Sequence, residues 1–301
     1  MYDIIVIGGG PAGLTAALYA RRANKTVLVI EKESFGGQIT HSPKVENIPG
    51  FVEISGNEFA DKLLTQALEQ GAEIEVAEAT GIVNGEIKTV VTDSGNFECK
   101  AIIIATGAKH RLLGLEREEE FIGNGISFCA VCDGAFYEGK DVCVIGGGNS
   151  ALQEALMLSE LCKKVTIVQN LETLTGEQKL RELVYKKDNI EVILGALVKE
   201  LKGDGELSSI VIEDKEGKKE LALDGMFVAI GLIPQNDFAK NVIELNSYGY
   251  AIAGESCVTG VDGIYVAGDC RQKRIRQVAT AASDGAISAL AACDYIDQLN
   301  D

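Results

Sequence analysis

Histidine is scarce in this 301-residue chain, occurring only as His41 and His110. A histidine-rich metal site or a hydrolase triad is therefore a poor fit. Basic residues are outnumbered, 28 against 45, for a net charge of -17 at pH 7. That balance argues against wholesale binding to nucleic acid or to an anionic membrane, while leaving room for a local basic patch. No apolar run approaches the roughly 18 residues of a membrane span. The opening residues, MYDIIVIGGG, enter a strand at once, with no basic n-region and no cleavage site, so a cytoplasmic protein is expected. A second C-x-x-C is also missing, so the close pair Cys129 and Cys132 stands alone among eight cysteines.

What is present fits a packed α/β protein with many tight turns: 46% hydrophobic residues and 34 glycines. The length suits two domains. One device occurs twice. In YDIIVIGGGPAG, residues 3–7 read as a buried strand, and Gly8, Gly10 and Gly13 form G-x-G-x-x-G. Pro11 and Ala12 fall inside that motif. LTAALYARRA reads as a helix, and the strand TVLVI ends at Glu31. Strand, turn, helix, strand and acid in this order form the dinucleotide fingerprint. The glycines admit the pyrophosphate to the backbone, the helix N-terminus stabilises its charge, and Glu31 accepts from ribose hydroxyls. The second copy is DVCVIGGGNSA, with Gly146, Gly148 and Ala151 in the three places and Asn149 beside them. Glu31 lies 23 residues after Gly8, and Gln169 lies 23 residues after Gly146, so the ribose-reading position of the second copy holds a neutral amide.

Two further strands, in 101–108 and 225–234, end at glycine. In the first half, Ala105, Thr106 and Gly107 return the chain to the nucleotide. GIYVAGDC adds a strand followed by Gly268 and Asp269, the latter suited to a polyol or pyrophosphate edge. A long small-residue helix follows, with its N-terminus toward the same cofactor. These repeats predict an α/β protein of two Rossmann-like, three-layer ββα nucleotide-binding domains, the second inserted into the first. The expected boundaries are 1–113 with 246–301 for the first domain and 114–245 for the second.

The segment FCAVCDG carries Cys129-x-x-Cys132 followed by Asp133. A two-residue gap lets the sulfurs close a readily reduced disulfide, and the first turn of a helix lowers a thiol pKa. Asp133 is positioned to act as a general acid toward the thiolate. Zinc is the rival reading, but a structural zinc site needs four ligands, so redox chemistry is expected and no metal site. The other six cysteines read as packing residues.

Together these segments resemble the low-molecular-weight bacterial thioredoxin reductases. The resemblance covers nearly the whole chain through GGGPAGLTAALYARRA, GGQITHSPKVENIPG, ATGAKHRLLG, SFCAVCDGAF, VIGGGNSALQEAL, VAIGLIPQ and VAGDC with RQVATAASDG. It implies a homodimeric FAD enzyme. FAD would lie on Gly8, Gly10, Gly13, Glu31, Gly36, Gly37, Gln38, Asn47, Asp269, Arg276, Gln277 and Val278. Cys132 would face the flavin, Cys129 would attack thioredoxin, and Asp133 would supply the proton. The resemblance also implies an inserted domain that rotates, on linkers near 113–116 and 241–247.

Members that use NADPH carry His-Arg-Arg and a third arginine after the V-T-x-x strand. Here those positions are Gln169, Asn170, Leu171 and Thr175. A charge-assisted hydrogen bond contributes about 1.5–3 kcal/mol. Losing two or three weakens binding roughly a thousandfold, which argues against NADPH. NADH remains open, because the turn is intact and Gln169 can bond an unphosphorylated ribose. Reduced ferredoxin remains open too, being downhill by about 130 mV, roughly 6 kcal/mol for two electrons. An acidic ferredoxin would need a basic patch, with Arg271, Lys273, Arg274 and Arg276 as one candidate and Arg21, Arg22 and Lys25 as another. The alternatives are a flavoprotein reductase of another thioredoxin-like or peroxiredoxin-system protein, and a flavin-bound redox sensor.

Overall fold

The computed structural model describes residues 1–299, which form two compact bodies. The first comprises Met1–Lys109 and the chain from Ile233 onward. Its sheet runs in the order Glu73–Val76, Val27–Glu31, Tyr2–Ile7, Asn96–Ile104, Lys88–Thr92, Ala79–Val83. The long strand Asn96–Ile104 serves three partners. Its second half pairs in parallel with Tyr2–Ile7 (Ile5 opposite Ile102) and with Ile264–Val266 (Ile264 opposite Ile102). Its first half pairs antiparallel with Lys88–Thr92, Glu98 facing Thr89. The inner parallel strands, Tyr2–Ile7, Val27–Glu31 and the second half of Asn96–Ile104, are runs of Ile and Val buried on both faces, as such sheets require, while the edge strand Glu73–Val76 is largely exposed.

Helix Pro11–Arg22 starts with proline at a position where its missing N–H costs nothing. It packs against the long helix Val278–Gln298 through Ala12, Ala16 and Ala20 on one side and Ala281, Ala289 and Ala292 on the other. The approach is close enough that a Cβ on Gly285 would stand 2.2 Å from Ala12 O. Small residues here are a packing requirement.

The second body is His110–Leu232. Its five-stranded sheet is parallel throughout, in the order Ile190–Leu194, Lys164–Gln169, Asp141–Ile145, Gly225–Val228, Ile126–Ser127. An antiparallel meander, Leu197–Asp204, Glu206–Asp214 and Gly217–Ala222, stands apart from it. Each body is thus a mixed α/β Rossmann-like unit, as expected.

The division differs from the predicted boundaries. Residues 233–245 belong to the first body because Ala239 and Ile243 are buried in its core. Asn236 anchors them there, donating to Gly249 O and Cys270 O at 2.9 Å each. The segment 225–234, read as one strand, breaks after Val228 and passes through Gly231 at φ 106°.

Candidate functional site

In the first body, Gly8 has φ 111°, and an added Cβ would sit 2.3 Å from Ala105 O. Only glycine lets the turn pass under the strand end at 105. Glu31 accepts from Gly9 N–H at 2.7 Å through Oε2 and from Glu33 N–H at 2.9 Å through Oε1. Gly36 N–H donates to Gly9 O at 2.8 Å, and Gly37 approaches Gly10, whose own Cβ position faces open space out to 3.9 Å. Gln38 follows in the single turn Gly37–His41. Asn47 Nδ2 donates to Gln277 Oε1 at 3.2 Å, and Val278 opens the long helix. Gly268 lies against Ala12. Arg276 Nε donates to Asp269 O at 3.3 Å, with its guanidinium 4.3 Å from the Tyr250 ring centroid. Thr106 Oγ1 donates to Asn236 Oδ1 at 3.2 Å, next to Gly107 at φ 67°. The residues predicted to hold FAD lie on one body, with Gly36, Gly37 and Gly268 against the glycine turn and its helix.

Asp269 is the sharpest of these features. Its Oδ1 is buried with no hydrogen-bond partner, and burial raises its pKa. A buried orphan acceptor is costly unless something donates to it. An orphan acid, an open glycine face and Glu31 at the end of the second strand, bonded to the turn through Gly9 N–H, together fit a dinucleotide such as FAD.

Sequence reasoning missed the support behind this loop. Asp284, buried, accepts from Arg271 Nε at 3.2 Å, Arg271 Nη2 at 3.0 Å, Lys273 Nζ at 2.8 Å and Gly268 N–H at 3.0 Å. This finding removes two of the four residues of the predicted basic patch and leaves Arg274, which is exposed, and the half-buried Arg276. Arg271 is 2% exposed and the Lys273 side chain 6%, both bonded to Asp284, with Glu255 a second acid 3.6 Å from Arg271, so neither side chain reaches the surface to meet a partner. The second candidate patch is also partly consumed, since Arg21 donates to Gln70 O and Lys25 O while Lys25 pairs with Asp297.

In the second body, Cys129 and Cys132 are joined as a disulfide, with Cα atoms 5.3 Å apart. Cys129 caps the short helix Ala130–Asp133, its Sγ accepting from Cys132 N–H at 3.2 Å. Both cysteines are partly exposed and Val131 between them is 59% exposed. The other six cysteines are buried and unpaired, as expected for packing residues. Burial pushes the Cys99 and Cys257 thiols up to about 12, so neither supplies thiolate at neutral pH. Among the described residues, no group of three or more His, Cys, Asp or Glu side chains is placed to hold a metal ion.

Asp133 Oδ2 accepts from Ser127 Oγ at 2.6 Å, and Ser127 Oγ accepts from Cys129 N–H at 3.1 Å. Burial raises the Asp133 pKa and the serine hydrogen bond opposes that rise. Such an acid retains a proton at higher pH than a free carboxyl. Ser127 was not anticipated; its only sequence signal is its place two residues before the pair.

The second glycine turn repeats the first sterically. Gly146 has φ 128° and its Cβ would sit 2.5 Å from Ala229 O; Gly148 caps the helix Asn149–Ser159, in which Ala151 is buried. Its polar chemistry differs. Gln169 is 5% exposed and lies on Gly147, whose added Cβ would meet Gln169 Nε2 at 2.5 Å. Its Oε1 accepts from Asn170 N–H at 3.1 Å and its Nε2 donates to Thr173 O at 3.4 Å. Thr175 Oγ1 donates to Gly147 O, and Asn149 exchanges hydrogen bonds with Glu177. Asn170 and Leu171 are exposed and uncharged.

A sequence model for the pyridine nucleotide-disulphide oxidoreductases matches residues 2–285. The chain belongs to that family. It is an enzyme, an oxidoreductase acting on a sulfur group, and membership implies a bound flavin. Thioredoxin reductase of Listeria monocytogenes is 40% identical over 100% of this chain and 96% of its own. A 34.2 kDa protein of the rubredoxin operon of Clostridium pasteurianum is 41% identical over 98% and 97%. The crystal structure of thioredoxin reductase from Streptococcus pyogenes superposes with a TM-score of 0.95 at 39% identity, covering 99% of both chains. Among the described residues no helix is long and apolar enough to cross a membrane.

Proposed function

We propose that this member of the family is an FAD-dependent thioredoxin reductase whose electron donor is NADH or reduced ferredoxin rather than NADPH. The observation that carries the first part is the partly exposed Cys129–Cys132 disulfide, with Asp133 held beside it through Ser127. Listeria and Streptococcus relatives named thioredoxin reductase support thioredoxin as the partner. Bound flavin would supply two electrons to the disulfide. Gly8, Glu31, Asn47, Asp269 and Gln277 would hold it, and Cys132 is the sulfur assigned to face it. The freed Cys129 thiolate attacks the thioredoxin disulfide to form a mixed disulfide. Cys132 then displaces the thioredoxin thiol, restoring Cys129–Cys132 and leaving thioredoxin reduced. Asp133 delivers the proton that a departing thiolate needs.

The donor assignment rests on neutral residues in all four phosphate-reading positions, Gln169, Asn170, Leu171 and Thr175. The intact glycine turn favours NADH; the internal engagement of both ends of the Gln169 amide favours a protein donor. Homodimeric assembly and cytoplasmic location belong to the same proposal. Anaerobic reduction, followed by flavin bleaching with NADH, NADPH and reduced ferredoxin offered separately, tests the donor. Bleaching by micromolar NADPH would overturn it.

A further inference from the structure

Behind the redox turn runs a helix that carries a carboxylate. Helix Asn149–Ser159 packs under Ala130–Asp133. Ala130 shares an apolar cluster with Ala151, Leu152, Ala155 and Leu158, and a Cβ on Gly134 would stand 3.3 Å from Leu158 Cδ2. Glu154 lies three residues after Ala151 and four before Leu158, so it shares their face of the helix, the one turned to the cysteines. Its carboxylate faces the backbone N–H of Ala130, the residue that follows Cys129. Its Oε2 is buried with no hydrogen-bond partner. A buried carboxylate without a second donor is costly to keep ionised, and it sits where reduction creates a new negative charge.

We infer that Glu154 is a second proton-holding group of the Cys129–Cys132 pair, ionised over the disulfide and protonated over the reduced pair. The inference rests on the redox reading of that pair given above. The balance is one disulfide, one Glu154 carboxylate, two electrons and two protons, giving one thiol, one thiolate and one Glu154 carboxylic acid. Bound flavin in turnover, or a dithiol reductant in solution, supplies the electrons, and the protons come from solvent. When the thiolate is consumed by a partner disulfide, Glu154 releases its proton again.

Burial pushes the Glu154 carboxyl up to about 7 while the Ala130 N–H pulls it down. Elements packed against its helix carry Asp133, Tyr137, Cys129 and Cys132 on the redox side, Asp141, Cys143 and Lys164 on the strands, and Lys179, Arg181 and Glu182 on helix Gln178–Val184. None of these sets its acidity in the disulfide state. Reduction changes that, because a like charge nearby raises a carboxyl pKa by a unit or more.

The test equilibrates the full-length protein with dithiothreitol redox buffers from pH 5.5 to 8.5, with thiols counted by alkylation and mass spectrometry. In the unaltered protein the equilibrium constant for reduction breaks where Glu154 titrates. In Glu154→Gln the break is gone; reduction is favoured about tenfold more at pH 8, with convergence near pH 6. Superimposed profiles would overturn the inference, whereas a pair that no buffer reduces would instead overturn the redox reading. Should Glu154→Gln fail to fold, infrared difference spectra of Asp133→Asn decide. A carboxylic acid band gained on reduction at pH 7 supports Glu154, and its absence overturns it.

Discussion

Asp284→Ala is the perturbation that tests how the loop around Asp269, proposed above to hold flavin, is held. In the native fold Asp284 accepts from two buried cations, Arg271 and Lys273, and from Gly268 N–H, one residue before Asp269. Removing it leaves Arg271 paired only with exposed Glu255, at 3.6 Å. Breaking a buried pair by deleting one partner costs about 3–5 kcal/mol, because the remaining charge cannot regain water. A domain of this size loses about 2–4 °C of melting temperature per kcal/mol, so a drop of roughly 6–20 °C is expected. Differential scanning fluorimetry with FAD in excess reads it, and flavin release on dilution reads the loosened loop. Asp284→Asn keeps an acceptor and loses the charge, so it falls between.

The pH dependence has a defined sign. Burial alone would raise the Asp284 pKa, but the hydrogen bonds from Arg271 and Lys273 outweigh it and hold the carboxyl below its ordinary value. The stabilisation is therefore full above the unfolded pKa near about 3.9 and is lost as pH falls through the lower folded value. Part of the acid destabilisation should vanish in Asp284→Ala. A variant melting within about 3 °C of the unaltered protein would refute the account of the cluster.

Cys132→Ser should bind FAD normally and show no turnover with thioredoxin; a disulfide reductase assay measures this, and retained turnover would sink the assigned route. Ser127→Ala removes the hydrogen bond that lowers the Asp133 pKa, so the acid stays protonated to higher pH. The alkaline limb of single-turnover thioredoxin reduction should move up in pH; a downward move would contradict the role of Ser127. Asn170→Arg with Leu171→Arg restores two cations at exposed positions, where solvent holds each ion contact to about 0.5–1 kcal/mol. Affinity for NADPH relative to NADH should rise about tenfold in flavin-bleaching titrations; an unchanged ratio would exclude a phosphate site there.

Local, steric features were legible in the sequence. Gly8 and Gly146 announce turns that no other residue fits, and the Ile–Val runs after residues 2 and 141 announce buried parallel strands. The pair Cys129 and Cys132 stands out by spacing alone. Features made by distant residues were not. Asp284 is separated by 13 residues from Arg271 and reads as one more polar position in an alanine-rich helix. Lys273 and Arg271 look like surface charge in the string RQKRIR, because a string carries no information about burial. The strands within 79–92 and 197–222 escaped because they carry charges or lie partly exposed. Ser127 stands beside the pair in the chain but its bond to Asp133 is made by the turn, and only the fold brings Glu154 to the cysteines.

The two glycine turns separate what a nucleotide needs from what the fold needs. Both copies satisfy the same steric demand, with virtual Cβ contacts of 2.3 Å to Ala105 O and 2.5 Å to Ala229 O. Only the first keeps an acid at its ribose position; the second has Gln169 folded onto Gly147. The second turn nevertheless launches helix Asn149–Ser159, whose Ala151, Leu152, Ala155 and Leu158 pack under the cysteines. Distorting that turn would move the floor of the redox pair whether or not a nucleotide ever bound beside it. The glycine fingerprint at 146–151 thus has a structural task beneath the disulfide in addition to any nucleotide it receives.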